Sequence, residues 1–167
     1  MTPYNPNSPS SRQELAYSVL ALMEKSGFTP LEIPGTNEAV YAREVEGTGG
    51  RIKVLVYTSV EQGVNGPIIR ACGTDAIRAS AVYFPGAGAR ERGLGSETRV
   101  HRVGKIEDIT ERLLERMRSV YKNAKAGERC KSCGAPKFLS RNKNLVCADV
   151  CWTRGSSRTP TQNQASA

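Results

Sequence analysis

Histidine is almost absent from this sequence, since His101 is the only one. It lies beside Val100 in a short predicted strand, 98–103, and this favours a place on the surface or at a sheet edge over a role as general base. We expect Cys72, the residue with which it could form a dyad, to be a small buried side chain. The sequence therefore gives little support for catalysis by histidine.

Long apolar segments are also missing, because no run approaches the ~18 residues of a membrane-spanning helix. The five cysteines are an odd number, and no signal peptide precedes them, which argues against a disulfide scaffold and for the reducing cytoplasm. Apolar residues make up only 38% of the chain. We therefore expect a modest core, a flexible leader over residues 1–10 and a disordered tail over residues 154–167.

The chain has little that resembles the acidic site of a nuclease. A metal-dependent nuclease commonly needs an acid on one strand and an acid-x-Lys on the next, and no Glu-x-Lys lies on a predicted strand. The sequence thus favours a protein that is not an enzyme, while nuclease activity stays open as an alternative. Its candidate carboxylates are Glu38, Glu44, Glu46, Asp75 and Glu97.

Positive charge is present in excess, but only in one part of the chain. The formal net charge is +8. Residues 1–101 carry ten Lys/Arg and ten Asp/Glu, whereas residues 102–158 carry fourteen and six. Such a one-sided excess favours a polyanionic partner, most often nucleic acid, and the alternative is a solvated surface.

Hydrophobic periodicity predicts an α+β domain over residues 11–126, in which an antiparallel β-meander lies between two helices. The first helix is predicted at about residues 12–26, with Ser11 and Glu14 as a capping box and Gly27 as its stop. Three to five strands follow between residues 40 and 103, with loops at 61–67 and 85–96. The second helix, 106–125, has an apolar stripe formed by Ile106, Ile109, Leu113, Met117 and Val120.

Two close pairs of cysteines mark a last module, residues 127–153. Cys130 and Cys133 have C-x2-C spacing, and Cys147 and Cys151 follow with C-x3-C spacing. Four thiolates can surround one Zn²⁺ tetrahedrally and leave no open position, so this zinc would be structural, one per chain. Gly134 follows the second cysteine, where the turn often needs a positive φ. The alternative is two reduced or disulfide-bonded pairs.

The segment from Glu128 to Arg154 resembles a zinc ribbon, as found in topoisomerase tails and transcription factors. The resemblance rests on C-K-S-C-G, on Phe138 in the polar stretch that follows, and on C-A-D-V-C-W; its C-x3-C departs from the usual C-x2-C. It implies a small hairpin around structural zinc, in a family that includes nucleic-acid binders and protein-contact modules. Residues 1–125 match no recognised family motif, although their helix–meander–helix order is similar to that of single-strand annealing proteins.

The candidate nucleic-acid contacts are basic side chains, which neutralise phosphates, and an aromatic side chain, which stacks on unpaired bases. Phe138 and Trp152 have the alternative of forming the module's own small core. The loop at 85–96 is no phosphate cradle, since Glu91 stands where G-x-G-x-x-G needs glycine. The predicted contacts are Arg90, Arg92, Arg99, Arg102, Lys131, Lys137, Arg141, Lys143 and Trp152.

These features together predict a cytoplasmic nucleic-acid-binding protein with a structural zinc ribbon. Single-stranded DNA is the favoured partner, and no membrane partner is expected. The small size and basic C-terminal part are typical of a phage or mobile-element accessory factor in DNA metabolism. The alternatives are a metal-dependent nuclease and a transcription or replication regulator whose zinc module binds another protein.

Overall fold

The computed structural model describes residues 3–71, 76–85 and 90–151. The predicted combination of helices and antiparallel strands is confirmed. Within these ranges, no helix is both long and apolar enough to cross a membrane. The elements are α1 (Pro9–Lys25), β1 (Thr29–Pro30), β2 (Val40–Glu44), β3 (Ile52–Tyr57), β4 (Val60–Gly63), β5 (Gly66–Ile69), β6 (Ile77–Tyr83), β7 (Arg92–Val100), α2 (Ile106–Ala126), β8 (Lys137–Leu139) and β9 (Leu145–Cys147).

The main sheet has five antiparallel strands in the order β1-β2-β3-β6-β7. A separate hairpin, β4-β5, interrupts the meander between β3 and β6. Residues 61–67, which the sequence predicts to be a loop, belong mostly to this hairpin, so that prediction was wrong. Gly63 pairs with Gly66, and the two residues between them form the tight turn that joins short antiparallel strands.

The last strand of the sheet, β7, begins earlier than the sequence predicts. The glycine-rich stretch predicted as a loop at 85–96 contributes residues 92–96 to β7, and β7 ends at Val100 rather than at Val103. Its pairing with β6 shifts register between Ala79 and Ala81. A bulge of this kind accommodates glycines within a strand. The strand is stabilised by pairing with β6, and local strand propensity does not include that pairing, so the sequence alone predicts a loop here.

The first helix also begins earlier than predicted. Its N-cap is Ser8, whose Oγ accepts a hydrogen bond from the backbone N–H of Ser11 at 3.3 Å, with Pro9 in the first turn. The predicted cap, Ser11, lies inside the helix, where its Oγ accepts from the N–H of Asn5. The predicted leader is in part packed, because Tyr4 is buried and its N–H donates to the Gly104 carbonyl.

The core lies between the two helices and one face of the main sheet. On α2, the predicted stripe is buried from Ile106 to Met117, which confirms its orientation, and Val120 is partly buried. The opposite face of the sheet has a smaller cluster of Ala42, Leu55 and Val82. The main core includes Leu15, Val19, Met23, Ile52, Val54, Val56, Ile77, Ala79, Ala81, Ile109 and Leu113.

Candidate metal centre and basic surface

Residues 127–151, here called the cysteine module, consist of the β8-β9 hairpin and two flanking turns that carry the cysteines. Cys130 lies in the first turn, which the N–H of Gly134 closes by donating to the Cys130 carbonyl at 2.8 Å. Cys147 ends β9, and Cys151 follows a turn after it. Gly134 has φ +76°, so the positive φ predicted after the second cysteine is confirmed.

The four cysteine sulfurs form one cluster, in which all Sγ atoms lie within 4.8 Å of one another. The Cys130–Cys151 and Cys133–Cys147 Sγ–Sγ distances are 3.4 and 3.3 Å. Four thiolates at tetrahedral zinc, with Zn–S bonds of ~2.3 Å, would stand about 3.8 Å apart, whereas disulfide sulfurs are ~2.05 Å apart. The four cysteines are therefore positioned to bind one metal ion, and the arrangement is compatible with zinc.

The protein environment shifts the thiol pKa of Cys130 in one direction and those of Cys133 and Cys151 in the other. Backbone N–H groups of Cys133 and Ser132 donate to the Cys130 sulfur and lower the pKa of that thiol to about 6. Burial raises the pKa of Cys133, and burial together with the Cys130 contact raises that of Cys151 to about 12. A cation at the centre of the cluster would favour the thiolate form of every ligand.

Arg51, at the start of β3, attaches the module to the main sheet. Its guanidinium makes an ion pair with Asp149 and donates hydrogen bonds to the Tyr83 hydroxyl and, at 3.4 Å, to the Cys133 carbonyl. Arg92 of β7 donates to the Ala148 carbonyl at 2.9 Å. The sequence shows neither contact, because nothing in a local pattern pairs residues so far apart along the chain.

The module also shares the main apolar core. Ala135, Cys147 and Ala148 are buried in the same cluster as the helices and the sheet. Phe138 is partly buried and packs against that shared cluster, whereas the alternative stated from the sequence is a small core of the module's own. The metal centre is therefore positioned by the sheet as well as by its own turns.

The predicted nucleic-acid contacts that the structure describes differ in exposure and in their protein partners. Lys131, Arg141 and Lys143 are exposed on the module, and Arg90 is exposed beside β7. Arg99, in contrast, pairs with Glu97 at 3.1 Å. The other predicted contacts that have protein partners are Arg92 with the Ala148 carbonyl, Arg102 with the Arg70 carbonyl, and Lys137 with Glu128. Trp152 lies outside the described residues.

Four exposed cations on α2 were not among the predicted contacts: Arg116, Arg118, Lys122 and Lys125, of which Lys125 pairs with Glu46 at 3.1 Å. The charge order along the helix could have indicated them, because its acidic residues end at Glu115. Residues 116–143 contain nine Lys/Arg and a single acidic residue, Glu128. These nine residues, here called the basic surface, are Arg116, Arg118, Lys122, Lys125, Arg129, Lys131, Lys137, Arg141 and Lys143.

The carboxylates considered for a nuclease do not form a metal site in the described part of the chain. Glu38 is buried, accepts the Ser59 N–H at 2.7 Å and pairs with Arg70 and Arg78. Across residues 3–71, 76–85 and 90–151, the four cysteines are the cluster of Cys, His, Asp or Glu close enough to hold a metal. Cys72 and Asp75 lie outside those ranges.

The chain was compared with protein-family models, with curated proteins and with solved structures, and none of them matches it. The functional reading therefore rests on the cysteine cluster and the distribution of charge.

Proposed function

We propose that the protein binds nucleic acid, preferentially single-stranded DNA, through the basic surface. The observation that carries the proposal is the charge of residues 116–143, nine cations against one carboxylate, most of them exposed on α2 and the hairpin. Cations concentrated in this way neutralise phosphates and release their counterions. The basic surface crosses the boundary between the helix and the cysteine module.

We further propose that the metal is Zn²⁺ and that the module is a zinc ribbon whose role is to order the hairpin. The thiolate-only ligand set is the one that structural zinc prefers. Lys131, Arg141 and Lys143 lie on short turns that bury little apolar surface of their own. Metal ligation would hold them in register with α2 and so complete the basic surface.

A protein-binding regulator is the second candidate, and one observation favours it. Leu139 and Leu145 pair across the hairpin and are 66% and 48% exposed. Exposed leucines side by side on a small module are suited to contact another protein. Capture of a protein partner that resists both nuclease treatment and high salt would support this candidate.

Binding of the full chain to labelled single- and double-stranded DNA and RNA across a salt series tests the proposal. If four to six phosphates are neutralised on single strands, log affinity should fall with log salt at a slope of roughly −3 to −4. Replacing Lys131, Arg141 and Lys143 by Ala should reduce the magnitude of that slope by about 2. Lys105→Ala, an exposed cation away from the basic surface, is the control and should leave the slope nearly unchanged.

Point variants are preferable to removal of the module, because Ala135, Cys147 and Ala148 belong to the shared core. Absence of binding at ~50 mM salt, where electrostatic contacts are strong, would contradict the proposal. A slope that is the same in the triple variant would contradict the assignment of the hairpin to the contact surface.

A further inference from the structure

A cleft between the end of α1 and the middle of α2, here called the interhelix cleft, lies outside the cysteine module. Its volume is ≈ 340 Å³, within the range of small-ligand sites. The floor is apolar and comes from Leu22, Phe28, Leu114 and Met117. The cations of its lining are Lys25, Arg43 and Arg118. An apolar floor with charged groups around it suits a ligand that has a flat apolar part and an anionic part.

The charge of the cleft is uncompensated. None of its lining residues is acidic. Among the residues that the structure describes, Lys25, Arg43 and Arg118 make no ion pair, whereas cations elsewhere do, such as Arg78 with Glu38 and Glu97. Three cations held around one concave site raise the local concentration of anions.

The end of α1 does not supply the missing negative charge through its backbone. The last-turn carbonyls of Leu22, Met23 and Glu24 accept hydrogen bonds from the N–H groups of Ser26, Phe28 and Gly27, at 3.0, 2.9 and 3.2 Å. These carbonyls are therefore already satisfied within the cap. Neither a lining carboxylate nor these carbonyls neutralise the cations of the cleft, so the cleft is suited to an external anion.

An aromatic contact holds one cation in place and adds a flat surface. The guanidinium carbon of Arg43 lies 4.4 Å from the centroid of the Tyr121 ring. Guanidinium planes and aromatic rings are the surfaces on which unpaired bases stack. A phosphate could contact the guanidinium nitrogens while a base covers the aliphatic side chains of the floor, of which Leu22 and Leu114 are partly exposed.

We propose that the interhelix cleft binds one nucleotide, with its phosphate among Lys25, Arg43 and Arg118 and its unpaired base on the apolar floor. This inference rests on the proposed function, because Arg118 belongs to both the cleft and the basic surface. Arg118, Lys122 and Lys125 follow at i, i+4 and i+7 along α2, so a strand leaving the cleft would run along one helix face towards the cysteine module. A base in a duplex cannot enter the cleft, which gives a preference for single strands.

The experiment compares Arg118→Ala with Arg116→Ala in the full chain. Both variants remove one exposed arginine from the same helix, but Arg116 does not line the cleft. On duplex DNA, the two should weaken binding equally. On an oligothymidine of about ten residues, Arg118→Ala should weaken binding roughly tenfold more than Arg116→Ala, a factor that corresponds to about 1.4 kcal/mol. Thermal melting of both variants checks that the fold is retained.

Crosslinking locates the base directly. Ultraviolet irradiation of the complex with an oligonucleotide that contains 5-iododeoxyuridine should join a base to Phe28 or Tyr121, as read by mass spectrometry. The ligand of the cleft could come from a nucleic-acid strand or from a free nucleotide. Calorimetric titration with thymidine monophosphate and with inorganic phosphate distinguishes these two sources. The monophosphate should bind more tightly than phosphate, and Arg118→Ala should abolish the difference.

The outcomes separate this inference from the proposed function. If oligonucleotides bind, but the two variants behave alike and crosslinks lie only elsewhere, the cleft inference is overturned and the proposed function stands. If only thymidine monophosphate binds and Arg118→Ala abolishes that binding, the cleft is a free-nucleotide site and the proposed function is overturned. Equal affinity for phosphate and the monophosphate would overturn the role of the base, and no binding of either oligonucleotide or nucleotide would overturn both proposals.

Discussion

The part of the chain formed by α1, α2 and β1 to β7, here called the helix–sheet layer, and the cysteine module are stabilised by different means. The layer buries large apolar side chains almost completely, among them Leu15, Met23, Ile52 and Leu113, so the hydrophobic effect can hold it together. In the module, the buried apolar side chains are those of Ala135, Cys147 and Ala148, with Pro136 beside them. A hairpin with so little apolar burial depends on its contacts with the layer, and a metal bound by the four cysteines would add to its stability.

The two regions also differ in how their charges are satisfied. On the sheet, Arg78 pairs with Glu38 and Glu97, and Arg99 pairs with Glu97. Residues 116–143, which run from the end of α2 into the module, contain nine cations and only one carboxylate, Glu128, although Lys125 also pairs with Glu46 outside this stretch. This charged stretch includes most of the module, so under the proposed function a metal bound by the four cysteines would serve binding as well as stability.

Loss of one cysteine ligand of the metal should have the largest effect on stability, and we expect that effect in the cysteine module. Cys147→Ser is expected to release the metal and unfold residues 128–151, because metal binding supplies about 10–16 kcal/mol of apparent free energy in small zinc modules. The layer should stay folded but melt at a lower temperature, since Cys147 is also part of the shared core. Elemental analysis and circular-dichroism melting measure the two effects.

Ser132→Ala is the control for Cys147→Ser, because it changes an exposed side chain in the first cysteine turn and should retain the metal. Protein purified without chelator should contain one zinc per chain. If that protein contained no zinc, the module would be ordered by other means, and the contrast between a metal-stabilised module and an apolar layer would be wrong.

Truncation of a core side chain should have the next largest effect on stability, and we expect that effect in the helix–sheet layer. Leu113 is fully buried, so Leu113→Ala should lower the free energy of unfolding by roughly 2–5 kcal/mol while leaving the metal content unchanged. Leu145→Ala, at a half-exposed position of the hairpin, is the matched control and should cost far less. Denaturant unfolding measures both, and a wild-type midpoint for Leu113→Ala would mean that α2 presents another face to the sheet.

Breaking the contact between the regions should have an intermediate effect. Arg51→Ala leaves Asp149, whose side chain is 10% exposed, without its ion-pair partner Arg51. We expect a loss of about 1–3 kcal/mol, towards the lower end because the Arg51 side chain is partly in water. Residues 127–151 should become more sensitive to limited proteolysis while the zinc is retained.

The control for Arg51→Ala is Arg99→Ala, which breaks an exposed pair on the sheet and should change neither stability nor proteolysis appreciably. A double-mutant cycle of Arg51→Ala and Asp149→Ala measures the coupling itself. Additive effects of the two substitutions would show that the ion pair does not attach the module to the layer.

The features that the sequence predicts correctly are those with a local signature. The stripe from Ile106 to Met117 repeats with the helical period, and the spacing of the cysteines itself brings four thiols together. Gly134 could be assigned a positive φ because its place after the second cysteine defines the turn. The physical cause lies within a few residues for the stripe and for Gly134, and within residues 130–151 for the four cysteines.

The features that the sequence does not predict are of two kinds. Some depend on a choice between two equivalent local signals, and others depend on residues that are distant along the chain. Ser8 and Ser11 both suit an N-cap, and the contact of Ser11 with Asn5 decides between them. The start of β7 depends on its pairing with β6. Arg51 could not be assigned to Asp149, nor Arg118 to a cleft with Lys25, because tertiary packing alone brings such residues together.

The smallest expected effect separates metal affinity from the stability of the layer. Gly134 has φ +76°, and a Cβ added there would meet nothing within 4 Å, so Gly134→Ala costs only backbone strain, about 1–2 kcal/mol. Zinc affinity, measured by competition with a chromophoric chelator, should fall roughly 5- to 30-fold, with little change in the melting of the layer. Gly93→Ala is the control, because that residue also has open space around it but no positive φ, and it should leave zinc affinity unchanged. If Gly134→Ala instead lowered the melting temperature of the layer at saturating zinc, the turn would be part of the main folding unit, and the two regions would not be stabilised separately.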